Sequence, residues 1–110
     1  MTQIRKLSEI SGEKVKGHEG FIARSLVDLP EKGVSVRLLN VAPGGIGPVP
    51  AHRHPDTHFF LVIDGTLELE IDGQAHQIQS GHCTEVAPGR THQLRCAGEK
   101  EMVVLAVKWG

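Results

Sequence analysis

The chain has 110 residues, 39% of them hydrophobic and 23% charged, with a formal net charge of −1. That length makes one small domain with a core of its own, and the near-neutral balance without a basic cluster gives nucleic acid or an anionic membrane surface no footing. The two cysteines, Cys83 and Cys96, are not in CxxC spacing and "MTQIRKLSEI" lacks the apolar stretch of a leader, so free thiols in a reducing cytoplasm are expected.

In chain order, residues 1–33 read as N-terminal strands or an arm and 34–110 as the body of the domain. "IRKLSEI" suits a strand or a short helical turn, and "GFIARSLVDLP" an outer strand. "VSVRLLNVA" (34–42) is β-branched and apolar, and "PGG" is expected to end it. "HFFLVI" (58–63) runs into "DG". "TLELEI" (66–71) alternates, with Leu67, Leu69 and Ile71 on one face and Glu68 and Glu70 on the solvated one. The "DG" at 72–73 is a hairpin turn whose two central residues need positive φ. "QAHQIQ", "CTEVA", "HQLRC" and "EMVVLAVKW" complete the series, separated by "SG" and "PG" turns. Short strands at this spacing predict an all-β antiparallel sandwich or barrel. No apolar run reaches membrane-spanning length.

Three of the seven histidines fall in "PAHRHPDTH" (50–58). A polar rim loop with surface histidines is the plain alternative for so short a pattern. Yet His52, His54 and His58 share strand parity, Phe60 and Val62 continue that face, and Pro55 interrupts the ladder between them. Imidazoles turned toward an apolar interior need partners, and a divalent transition metal is the partner that several neutral imidazoles share. A fourth, His92, follows the "PG" turn in "PGRTH".

Those residues carry a resemblance. Gly47, "PVPA", His52-Arg53-His54, "PDT", His58, "FFLVID" and Gly65 resemble the first motif of a small single-domain bacterial cupin. Gly81, "HCTEVA", Pro88-Gly89, "RT", His92, "QLR" and Cys96 resemble the second, and the likeness spans about residues 34 to 108. It implies an antiparallel double-stranded β-helix, or jelly-roll barrel. The family's first-motif glutamate is here His58, which implies an all-histidine set of His52, His54, His58 and His92, as in small cupins that bind manganese or another transition metal. The family's PxG is contracted to "PG", and its terminal asparagine is Cys96.

What the resemblance implies is a cofactor of one divalent ion per subunit, Mn, Fe, Ni, Cu or Zn. Four nitrogen donors leave an octahedral ion two open positions but close a tetrahedral Zn²⁺ shell. The implied function is a metal-dependent dioxygenase or oxidoreductase on a small oxygenated or enolisable substrate. Its alternatives are a redox-neutral isomerase, lyase or polyketide cyclase, and a non-catalytic binding or sensor module. A homodimer through the sheets is expected, since both faces of 102–107 are apolar.

Even spacing from the ligands assigns Phe60, Val62, Leu94 and Cys96 to the pocket, with Met102 and Val104 from the last strand. Arg37, the one charge inside "VSVRLLN", is either an edge or interface arginine or, if inward, an anchor for a substrate carboxylate. His18, in "KGHEG", reads as surface, and His76, on the face of Ile78, as partly buried at the far end.

Overall fold

The computed structural model describes residues 3–110. Nine strands follow in order: β1 (Glu13–Lys14), β2 (Glu19–Leu29), β3 (Val34–Arg53), β4 (Thr57–Asp64), β5 (Thr66–Ile71), β6 (Gln74–Gln79), β7 (Cys83–Val86), β8 (Thr91–Cys96) and β9 (Met102–Trp109). All pairings are antiparallel and run β6-β5-β8-β3-β9-β4-β7, with β2 on β3 and β1 on β2. The fold is an all-β, nearly closed barrel. Helix is confined, among the described residues, to two short 3₁₀ turns, at Leu7–Glu9 and Pro30–Lys32. No helix of the described residues is long and apolar enough to cross a membrane.

The expected break at "PGG" is not where β3 ends. The strand continues to Arg53, pairing with β9 through Ser35–Val41 and with β8 from Ile46. Gly44 takes φ +78°, and the step from Glu19 to Phe21 on β2 spans Ile46 to Val41 on β3. Such an irregularity bends a strand without ending it, so one strand passes from one wall of the barrel to the other. The "DG" hairpin forms as the sequence predicts, with Asp72 at φ 48° and Gly73 at φ 82°.

Inward-facing residues make one apolar core. Val41, Val62, Leu67, Leu69, Met102 and Val104 are fully buried, and each such side chain contributes about 1.5–3 kcal/mol. Glu68, across β5 from Leu67 and Leu69, stays at the surface with Arg95 at 2.8 Å. The N-terminal segment packs onto this body. Phe21 and Ala23 of β2 join the core, Arg24 donates to Asn40 and to the Ile10 carbonyl, and Val49 N–H donates to the Gly17 carbonyl. The Val49–Gly17 bond holds the arm over the end of the barrel where the histidines lie, while the Arg24 bonds fasten the segment before it further along β3, at Asn40.

Candidate metal centre

Four elements meet at that end. His52 lies near the end of β3 and is the register partner of His92 on β8. His54 sits in the short corner between β3 and β4, and His58 opens β4, opposite Val86 on β7 and Lys108 on β9. Gly89 N–H donates to the His54 carbonyl at 2.7 Å, tying the corner to the "PG" turn that leads into β8. Histidines distant along the chain are thereby brought to one point.

His54, His58 and His92 each offer a ring nitrogen within 4.8 Å of the others. Their ring centroids are 5.3 Å (His54–His58), 5.5 Å (His54–His92) and 4.6 Å (His58–His92) apart. His52 lines the same cavity, its ring 5.7 Å from that of His54, but it is exposed and stands outside the close group. Of the expected ligands, the fold therefore gathers three tightly and leaves the fourth beside them.

The protonation pattern suits ligation. Burial, then the neighbouring His92 and His54, push the His58 imidazole from the usual 6.5 down to about 4. Burial also lowers His92, outweighing its backbone bond to the Arg90 carbonyl. Both are neutral at pH 7. A carbonyl only accepts, so the 3.3 Å contact with Arg90 places the His92 proton on Nδ1 and leaves Nε2 with its lone pair free. His58 Nε2 is buried with no hydrogen-bond partner in the protein. An orphaned buried nitrogen costs about 1–3 kcal/mol, and sharing an ion with two neighbours satisfies it. The donor set thus fits a divalent transition metal.

Above the group lies a cavity of about 180 Å³. Phe60 and Leu94 line it, as the parity count expects. Val62, Cys96, Met102 and Val104 do not: each is at most 1% exposed and belongs to the closed core beneath. They face inward, but strand parity reports the face and not the depth. Each step of two residues moves about 7 Å away from the barrel mouth. Cys96 has gone far enough that its Sγ bonds the Lys100 carbonyl at 3.3 Å.

Arg37 is inward, on the face of Leu39 and Val41, and lines the cavity. His18 is there too, contrary to its reading as surface. Its Nδ1 donates to the Lys16 carbonyl at 2.9 Å, and its ring meets Phe21 edge-on at 4.7 Å. A Cβ on Gly47 would fall 2.2 Å from the His18 ring, so the first motif's glycine leaves the space the ring fills. Nothing in "KGHEG" signals this. Lys108 was within reach, since it continues the inward row Met102, Val104, Ala106. His76, expected partly buried, is exposed because β6 lies at the sheet edge and only its Ile78 is covered.

The molecule is thus of the bent antiparallel β-barrel class, with a histidine cluster at one end of the barrel. Residues 37–108 match the Cupin_2 family, cupin domain, and the chain belongs to that family. It is 38% identical over 63 residues to quercetin 2,3-dioxygenase of Bacillus subtilis (strain 168), which covers 56% of this chain and 19% of that protein. It is 28% identical over 57 residues to the HTH-type transcriptional regulator YobQ of the same organism, 52% of this chain and 24% of that one. The chain thus spans about a quarter or less of these curated relatives. Among solved structures, the polyketide cyclase RemF from Streptomyces resistomycificus superposes with a TM-score of 0.85 at 21% identity, over 99% of this chain and 80% of that one. A predicted oxalate decarboxylase from Thermotoga maritima gives 0.85 at 19% identity, over 97% and 98%. At these identities the structural likeness shows the fold alone.

Proposed function

We propose that this chain is a metal-dependent enzyme of the dioxygenase or oxidoreductase type, acting on a small oxygenated or enolisable substrate. The observation that carries it is the close three-histidine group, with the His58 nitrogen unpartnered inside the protein. His54, His58 and His92 would hold the ion. His52, register partner of His92, would join by a side-chain rotation as the fourth donor. Such an ion supplies Lewis acidity and, when redox-active, electrons for O₂. The residues around it orient the substrate: Arg37 anchors a carboxylate, while Phe60 and Leu94 form an apolar wall that excludes water. A volume of about 180 Å³ suits a small substrate.

A redox-neutral reading, with the ion as Lewis acid only, is favoured by one observation. His18 brings a ring nitrogen to the cavity that is neither a candidate ligand nor engaged by the Lys16 carbonyl, a proton acceptor suited to isomerase, lyase or cyclase chemistry. Elemental analysis of untagged protein comes first, with a near-stoichiometric transition metal expected in the wild type and lost in His52→Ala/His92→Ala. Oxygen uptake with acetylacetone, a small enolisable diketone, then separates the readings. Uptake by Mn- or Fe-loaded but not Zn-loaded protein supports the dioxygenase type, and equal anaerobic conversion by the Zn form supports the other. A wild type without metal sinks both, leaving a non-catalytic binding module.

The protein is further proposed to pair with a second copy through the outer faces of β3, β9 and β4. The register row Val36–Val107–Phe59, with Leu105 and Leu61 beside it, presents half-buried apolar side chains from three adjacent strands there, whereas Leu38 is already buried beside the N-terminal segment. A dimer is expected by sedimentation at micromolar concentration, and Leu105→Asp should dissociate it.

A further inference from the structure

The charges at the cavity limit what enters it. Lys16, Arg37 and Lys108 all line it, and among the described residues no aspartate or glutamate does. Lys108 reaches Asp56 at 3.8 Å, but neither Lys16 nor Arg37 has a carboxylate within salt-bridge distance among the described residues. Arg37 is half-buried, and that desolvation lowers its pKa. A guanidinium held without a counter-ion beside apolar Phe21 and Leu39 is a receptor for a planar anion.

Its position sets the length of that anion. Arg37 on β3 is in register with Ala106 on β9, which is in register with Phe60 on β4. His58 lies two residues from Phe60 on the same face. The guanidinium and the histidine group therefore rise from strands two spacings apart and two residues offset, about 12 Å between backbones. Both side chains line one small cavity, so an anion that spans them has a short carbon chain between its charged ends. Arg37, Val15 and Lys16 also border a second, open hollow, lined in addition by Glu13 and Lys14, so the cationic end lies where the cavity meets the arm. The family match begins at Arg37, so Lys16 and His18 are contributed by chain outside it.

We infer that the cavity selects small dicarboxylates, one carboxylate at the histidine group and the other at Arg37 and Lys16. The assignment rests on the metal reading for its first end only, because Arg37 and Lys16 attract a carboxylate with or without an ion.

Calorimetric titration of Zn-loaded protein with succinate, propionate and succinamide tests it. Succinate is expected to bind at least about tenfold tighter than propionate, with succinamide weakest. Arg37→Gln should remove the advantage of succinate over propionate while leaving the metal content unchanged. Lys16→Gln, at an exposed residue whose loss does not threaten folding, should reduce that advantage in part. Equal binding of succinate and propionate by folded wild type overturns the inference, as does an undiminished succinate preference in both variants. Protein that takes up no zinc sinks the metal reading alone. Carboxylate binding by that protein, abolished in Arg37→Gln, would then still support the cationic end, and its absence would overturn it.

Discussion

Replacing His58 by leucine is expected to make the metal-free protein more stable and the metal-loaded protein less stable than wild type. In the absence of metal, His58 buries a nitrogen that nothing in the protein satisfies. Leucine fills much of the same space and removes that atom, a gain of about 1 kcal/mol from a penalty of about 1–3 kcal/mol. With an ion bound, the wild type gains through linkage about 4 kcal/mol at a thousandfold excess over Kd. The variant loses a direct donor, so its affinity should fall by more than the roughly 10- to 100-fold that loss of an outer partner costs. The order of urea midpoints should therefore invert between chelator and metal. A metal-free variant clearly weaker than wild type would refute the account.

Acidity sharpens the same comparison. His58 is held at about 4 in the folded protein against 6.5 when unperturbed, so between those values the unfolded chain binds the extra proton. The stability of the metal-free wild type should be fully present above about pH 6.5 and fall as pH drops toward 4. His58→Leu should show a shallower fall, with the remainder carried in part by His92, whose pKa is also lowered by burial. Equal slopes in the two proteins would show that His58 does not carry this dependence.

Gly65→Ala is expected to lose about 3 kcal/mol or more, enough to threaten folding in a domain of this size. Gly65 has φ +83°, and a Cβ there would sit 2.9 Å from Met102 Cα and 3.0 Å from the Glu101 carbonyl oxygen. Both obstacles are backbone, at the start of a central strand, and cannot swing aside. Gly73 is the control: its φ is +82°, but nothing lies within 4 Å of its added Cβ. Gly73→Ala should cost only the left-handed penalty, about 1–2 kcal/mol. Similar denaturation midpoints for the two variants would mean that conformation alone, and not the close approach of Met102, requires glycine at 65.

Much of this was legible in the residue pattern. Turn chemistry marked most strand ends, because Asp-Gly and Pro-Gly pairs have few other uses between apolar runs. Alternation identified Leu67 and Leu69 as inward and Glu68 as outward. Shared parity brought attention to His52, His54 and His58, and the position of His92 after a "PG" turn suggested a second strand supplying the same site. The strand does not break at "PGG" because glycine allows a bend and a turn equally, and only pairing with β8 keeps the strand going.

The sequence by itself determined the all-β class and the inward rows, which follow from a period of two along each strand, and its resemblance to a known family implied the candidate ligands. Tertiary structure alone decided depth, neighbours across strands and what the arm covers. It set Val62, Cys96, Met102 and Val104 in the core instead of the cavity wall. It drew three histidines together while leaving His52 at the side, and it seated His18 against Gly47 beside Arg37. The reason is physical: local periodicity records which way a side chain points, whereas the distance between two side chains on different strands depends on register and bend. Those are settled only when all the strands pack at once.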